Sequence, residues 1–123
     1  MTIESLKFIS DTIAGAGINY EFWEFTSAPV YPYFVGEYSE VEPKNEDGMQ
    51  ETEFTLSGFH RGEWLELEKA KAKIETLFSN NVHILPNGNG LAIYYMNSMV
   101  VPTNDEELKK IEIHLRIKEW KVN

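Results

Sequence analysis

The sequence predicts an α+β fold: an antiparallel sheet with two helices packed on one face, in the order α-β-β-β-α-β-β-β. Three observations carry this reading. Two stretches, ahead of Gly17 and after Gly62, place apolar residues at the helical period. The segments between and after them alternate, or run apolar and aromatic, over strand lengths. Turn residues separate those strands at intervals short enough for neighbouring strands to pair. At 123 residues the chain suits a single domain, residues 1–123, with one core between two layers.

The first helix opens on Thr2 as N-cap, with Glu4 in the first turn where the helix dipole favours an anion. Ile3, Leu6, Ile9, Ile13 and Ala16 share one face, and Gly15 and Gly17 end it. Ile18 to Phe25 reads as a strand with Ile18, Tyr20 and Phe22 on one side, broken by Ala28-Pro29. A second strand spans Val30 to Tyr38, where Pro32 cannot donate to a ladder and so marks an edge or a one-sided start. Val41 to Met49 holds Pro43, Asn45, Asp47 and Gly48, the composition of a turn-rich tip. Glu51 to Phe59 is the third strand.

The second helix is expected over Glu63 to Ser79, with Trp64, Leu67, Ala70, Ile74, Leu77 and Phe78 on its core face. Glu66/Lys69 and Glu68/Lys71 form i,i+3 pairs away from that face. Val82 to Leu85 and Leu91 to Met96 flank the turn Pro86-Asn87-Gly88-Asn89-Gly90. The last strand alternates most cleanly, with Ile111, Ile113, Leu115 and Ile117 inward and Glu112, His114, Arg116 and Lys118 outward.

Charge is distributed unevenly. Of the formal net charge of −9, residues 21–53 carry −8, with nine acids against one base, Lys44. Binding along a phosphate backbone needs clustered Lys and Arg, so this balance argues against nucleic-acid recognition. The absence of Cys removes disulfides, thiolate nucleophiles and thiolate metal sites. No signal-peptide pattern opens the chain, and no apolar run reaches the ~18 residues of a membrane span. A soluble protein made inside the cell, with no membrane partner, is the expectation.

Catalytic chemistry finds no constellation. His60, His83 and His114 form neither HxH nor HExxH spacing. The carboxylate pairs Glu40/Glu42 and Glu46/Asp47 fall in a hydrophilic tip, where water keeps both members ionised, and acid–base work needs one of them protonated. Glu46-Asp47-Gly48 lacks the oxygen ladder of a calcium loop. Gly15-Ala16-Gly17 follows a helix and so cannot place a phosphate at a helix N-terminus. Ser10, Ser27 and Ser57 have no nucleophile elbow. No enzyme activity, metal or cofactor is expected.

The aromatic residues leave two readings open. Trp23 and Phe25 alternate away from Tyr20 and Phe22, while Phe34 and Tyr38 oppose Tyr31, Tyr33 and Val35. Either one face meets the helices and loops cover the other, or the extra face is a subunit interface enriched in aromatics. On the second reading the interface residues are Trp23, Phe25, Phe34 and Tyr38, with Glu40, Glu42, Glu46 and Asp47 of the acidic tip.

Several local features carry a resemblance. They are the leading amphipathic helix, Pro29-Val30-Tyr31-Pro32-Tyr33-Phe34-Val35-Gly36-Glu37, the charged tip, Phe54-Thr55-Leu56-Ser57-Gly58-Phe59, Arg61-Gly62-Glu63-Trp64-Leu65-Glu66, and the closing strand Ile111 to Trp120. With these the chain resembles the tail-completion and tail-terminator proteins of long-tailed bacteriophages and prophages, the head–tail joining proteins. The resemblance implies a ring of copies, commonly a hexamer, at the end of the tail tube. Its implied partners are the tail-tube protein and a head connector, first in the host cytoplasm and then in the virion, with no cofactor and no reaction. An acidic lining would repel DNA passing through such a ring. The alternative is an acidic intracellular inhibitor or immunity-type protein that occupies a basic site on its target.

Overall fold

The computed structural model describes residues 1–23, 30–40, 48–78 and 81–122. Two helices and six strands follow one another as α1 (Ile3–Gly15), β1 (Asn19–Phe22), β2 (Tyr33–Glu40), β3 (Met49–Arg61), α2 (Trp64–Leu77), β4 (Asn81–Ile84), β5 (Gly90–Val101) and β6 (Leu108–Trp120). The strands form one sheet in the order β1-β2-β3-β6-β5-β4.

Thr2 caps α1, accepting on Oγ1 from the Ser5 amide at 3.2 Å. Ile9 and Ile13 are fully buried beneath the helix, whereas Ile3 stands in solvent. After the helix Gly17 takes a φ of +79°, where a side chain would be strained. In α2 the core face is Leu67, Ala70 and Ile74, continued by Phe78. On its other side the Lys71 ammonium lies 3.1 Å from Glu68 and 3.9 Å from Glu75.

β3 and β6 pair along their whole lengths, from Met49↔Trp120 to Arg61↔Leu108. That register puts Thr52, Phe54, Leu56 and Gly58 on the same face as Ile117, Leu115, Ile113 and Ile111. Phe34 of β2 and Leu91 and Ile93 of β5 extend this face, and residues of both helices close over it in one core. The opposite, outer face carries Glu51, Glu53, Glu112, His114, Arg116 and Lys118.

Five expectations change. The sheet is not wholly antiparallel, because β1 runs parallel to β2. A tight turn cannot join parallel strands, and the segment from Trp23 to Pro32 separates the two. β1 itself ends at Phe22, since Trp23 turns to a φ of +76°. Trp64 is 40% exposed at the first position of α2, with the Lys109 ammonium 5.8 Å from its ring, so it does not belong to the core. β5 continues to Val101, five residues past the expected end at Met96, through a bulge between Tyr95 and Asn97. Finally, Phe34 is fully buried, which removes it from any exposed surface.

Phe34 lies inside because of a glycine. Gly58 stands directly across from it on β3, and a Cβ there would overlap the Phe34 ring. Gly36 makes the same allowance for Phe54, whose Cζ would sit 2.7 Å from an added Cβ. Each aromatic ring fills the space that a missing side chain leaves on the neighbouring strand.

Candidate subunit interface

The two ends of the sheet gather much of the exposed apolar surface. At the β1 end Trp23 is 61% exposed, and its amide donates to the Gly36 carbonyl at 2.7 Å. Its ring lies 5.6 Å from Phe22 and 6.3 Å from Tyr38, and Phe22 stacks on Tyr38 at 5.8 Å. The bond fixes the backbone while the φ of +76° turns the side chain to the rim of the sheet. On the outer face beside it, a cleft is lined by Trp23, Tyr33, Val35, Glu37, Phe59 and Lys110. Tyr33 stacks on Phe59 at 5.1 Å, and the Lys110 ammonium lies 5.4 Å from the Phe59 ring.

Of the sequence-derived interface residues, the structure brings together Trp23 and Tyr38, the latter half-buried. Phe34 belongs to the core instead. Glu40 is engaged within the chain: the Met1 ammonium donates to its Oε2, and Thr52 Oγ1 donates to the same oxygen at 3.0 Å. It is therefore a tether for the start of α1 and not a free charge on a tip. Phe25, Glu42, Glu46 and Asp47 lie outside the described residues.

The other end was not legible from the aromatic pattern. β4 pairs only with Gly90–Ile93, so from Tyr94 to Val101 β5 has β6 on one side and, among the described residues, no strand on the other. Met96, Met99 and Val100 on this segment are 47, 49 and 57% exposed. Val82 and Ile84 of β4 add to the apolar surface on the outer face. A signal existed in the sequence. Residues 76–104 contain no Asp, Glu, Lys or Arg, whereas natural sheets protect open edges with charge.

Among the described residues no group of three or more His, Cys, Asp or Glu is placed to hold a metal. No described helix is long and apolar enough to cross a membrane. Two electrostatic features instead hold the ends of strands. Arg61, at the end of β3, contacts Asp105 at 2.7 Å and Tyr31 at 3.3 Å. The bond from Arg61 holds the Asp105 carboxyl below its ordinary range. Glu119 of β6, almost wholly buried, accepts from Thr2 and Asn89.

With this architecture in place, a chain of the virion of native gene transfer agent particle superposes with a TM-score of 0.71. The match covers 89% of this chain and 84% of the other, at 11% sequence identity. The two chains share a fold. No family model matches the sequence. Inositol monophosphatase 3 of Danio rerio is 34% identical over 91 residues, 72% of this chain. That stretch is only 24% of the Danio rerio protein, so the chain spans about a quarter of its relative's length.

Proposed function

We propose that this chain is a structural component of a phage-type particle, of the tail-completion or head–tail joining kind. It assembles with copies of itself as a ring at the end of the tail tube and acts without catalysis. The observation that carries the reading is the fold likeness to a chain of a gene transfer agent virion, which extends over most of both chains. The resemblance noted in the sequence names the same class of particle by a separate route. An exposed aromatic cluster at one end of the sheet and an uncharged strand edge at the other suit a protein that works through contacts with other subunits.

Deletion of the coding sequence in the producing bacterium, followed by electron microscopy and protein analysis of purified particles, tests this. The expected result is unjoined heads and tails in the deletion strain, with the protein present in intact particles. Normal joined particles from the deletion strain, or intact particles that lack the protein, would overturn it.

A further inference from the structure

The turn between β4 and β5 contains two Asn-Gly steps, Asn87-Gly88 and Asn89-Gly90. Such a step is chemically labile, because glycine has no side chain to keep its backbone nitrogen away from the neighbouring side-chain amide. The fold treats the two steps differently. Asn87 and Gly88 are exposed, with Gly88 at a φ of +90°. The Gly88 amide donates to the Leu85 carbonyl at 2.8 Å, and Asn87 Oδ1 accepts from the Asn89 amide at 3.0 Å. Both bonds lie within the turn, so a local opening that leaves the sheet paired frees the Gly88 nitrogen. Asn89 is only 5% exposed. Its Nδ2 donates to Glu119 Oε2 at 2.8 Å, and its Oδ1 accepts from the Val122 amide at 3.0 Å. Gly90 is paired on both sides, with Ile84 and with Trp120. Releasing this second step means breaking those side-chain bonds or the sheet itself.

We propose that Asn87 is a site of spontaneous covalent modification in the folded protein, converting to aspartate and isoaspartate through a succinimide, while Asn89 is protected. The Gly88 backbone nitrogen gives up its proton to solvent base and bonds to Asn87 Cγ. The Cγ–Nδ2 bond breaks, and Nδ2 leaves as ammonia with a proton taken from water. Water then adds to either carbonyl of the ring and opens it, with no oxidant or reductant involved. Attack at one carbonyl gives aspartate. Attack at the other gives isoaspartate, whose main chain runs through the former side chain and is longer by a carbon. That form removes the acceptor of the Asn89 amide and lengthens the turn from which Asn89 reaches Glu119. Glu119 also holds Thr2 at the cap of α1, so a change at an exposed residue loosens the contact between α1, this turn and β6.

The test incubates the folded full chain in mildly alkaline buffer, beside an identical sample in urea. Tandem mass spectrometry of proteolytic peptides then locates each amide replaced by a carboxyl. Folded protein should lose the Asn87 amide about tenfold or more faster than the Asn89 amide, because the bonds that hold Asn89 must open first. In urea the two rates should converge, since each Asn precedes a Gly. Isoaspartyl methyltransferase should label the aged folded sample, and its thermal midpoint should fall as the label accumulates. Asn87→Ser keeps a hydroxyl acceptor for the turn but has no amide to lose there, and its midpoint should hold on ageing. Equal rates at Asn87 and Asn89 in the folded chain would overturn the proposal, as would an Asn87 amide that survives there after the urea sample has reacted. So would a wild-type midpoint that stays fixed while isoaspartate accumulates, or one that falls equally in Asn87→Ser.

Discussion

Thr2 grips Glu119 with two atoms: its hydroxyl donates to Oε2 at 2.6 Å and its backbone amide to Oε1 at 3.2 Å. Asn89 adds a third bond, from Nδ2 to Oε2 at 2.8 Å. One carboxylate on β6 thus ties down the cap of α1 and the turn between β4 and β5. Burial pushes this carboxyl up, and the bonds from Thr2 and Asn89 outweigh burial and hold it below its ordinary value of 4.5.

The sign of the pH dependence follows from that direction. A depressed carboxyl binds fewer protons in the folded state, so its contribution is present above pH 4.5 and is lost as pH falls through the folded value. Glu119→Gln should destabilise the protein by about 1–3 kcal/mol at neutral pH. The difference from wild type should shrink steadily on acidification below pH 4.5. Urea denaturation at several pH values measures both effects, and a difference that does not change with pH would refute the assignment.

Gly58→Ala should be costly although it adds only a methyl group. The new Cβ meets the ring of Phe34, which is fully buried. A loss of about 1–3 kcal/mol is expected from overpacking. Phe34→Ala leaves a cavity and should cost about 3–5 kcal/mol. Combining the two should cost less than the sum, since the methyl added at position 58 no longer meets a ring. A denaturant double-mutant cycle reads this coupling, and strict additivity would contradict the pairing.

Trp64 and Ile74 lie on the same helix but should respond very differently. Ile74→Ala removes a fully buried side chain and should cost about 2–5 kcal/mol. Trp64→Ala gives up a partly exposed ring whose cation partner is Lys109, a contact worth about 0.5–1 kcal/mol at such sites. Equal shifts of the thermal midpoint would place Trp64 back in the core.

Glu40→Lys should destabilise the fold, in contrast to charge reversal at a freely solvated glutamate. It sets a cation beside the Met1 ammonium and removes the acceptor of Thr52. Glu40 is itself solvent-exposed, so the expected loss is about 1 kcal/mol. Glu106→Lys, exposed in the turn before β6, is the comparison and should stay within about 0.5 kcal/mol. Matching denaturation midpoints for the two variants would show that Glu40 anchors nothing.

The sequence was most readable where one side of an element meets the core and the other meets water. Ile111, Ile113, Leu115 and Ile117 alternate with charged residues, and this spacing alone assigns β6 and its inward face. In β2 both sides bear aromatics, so a period of two could not say whether Phe34 or Tyr33 points inward. Gly58 held the answer, but only once the strand register set it opposite Phe34. The direction of β1 was hidden for a related reason, since alternation is the same in parallel and antiparallel strands. The far half of β5 was hidden by its bulge at Met96, which shifts the alternation by one residue midway. At the candidate interface, the aromatic excess left open whether Trp23 is covered or exposed, and the β5 edge was marked only by missing charge. Neither cluster could be assigned to an end of the sheet without the strand order.

The pairing of β3 with β6 also has a consequence for how the protein is made. β3 leaves the ribosome before α2, β4 and β5 have been synthesised, and its central partner comes after all of them. Until β6 emerges, Phe54 and Leu56 belong to a strand with one side unpaired, and the core cannot close over them. Native contacts are thus delayed on the nascent chain, and folding is expected to be slow for a protein of this size. The hazard during synthesis is that the open edge of β3 pairs with a strand of another chain before its own partner arrives.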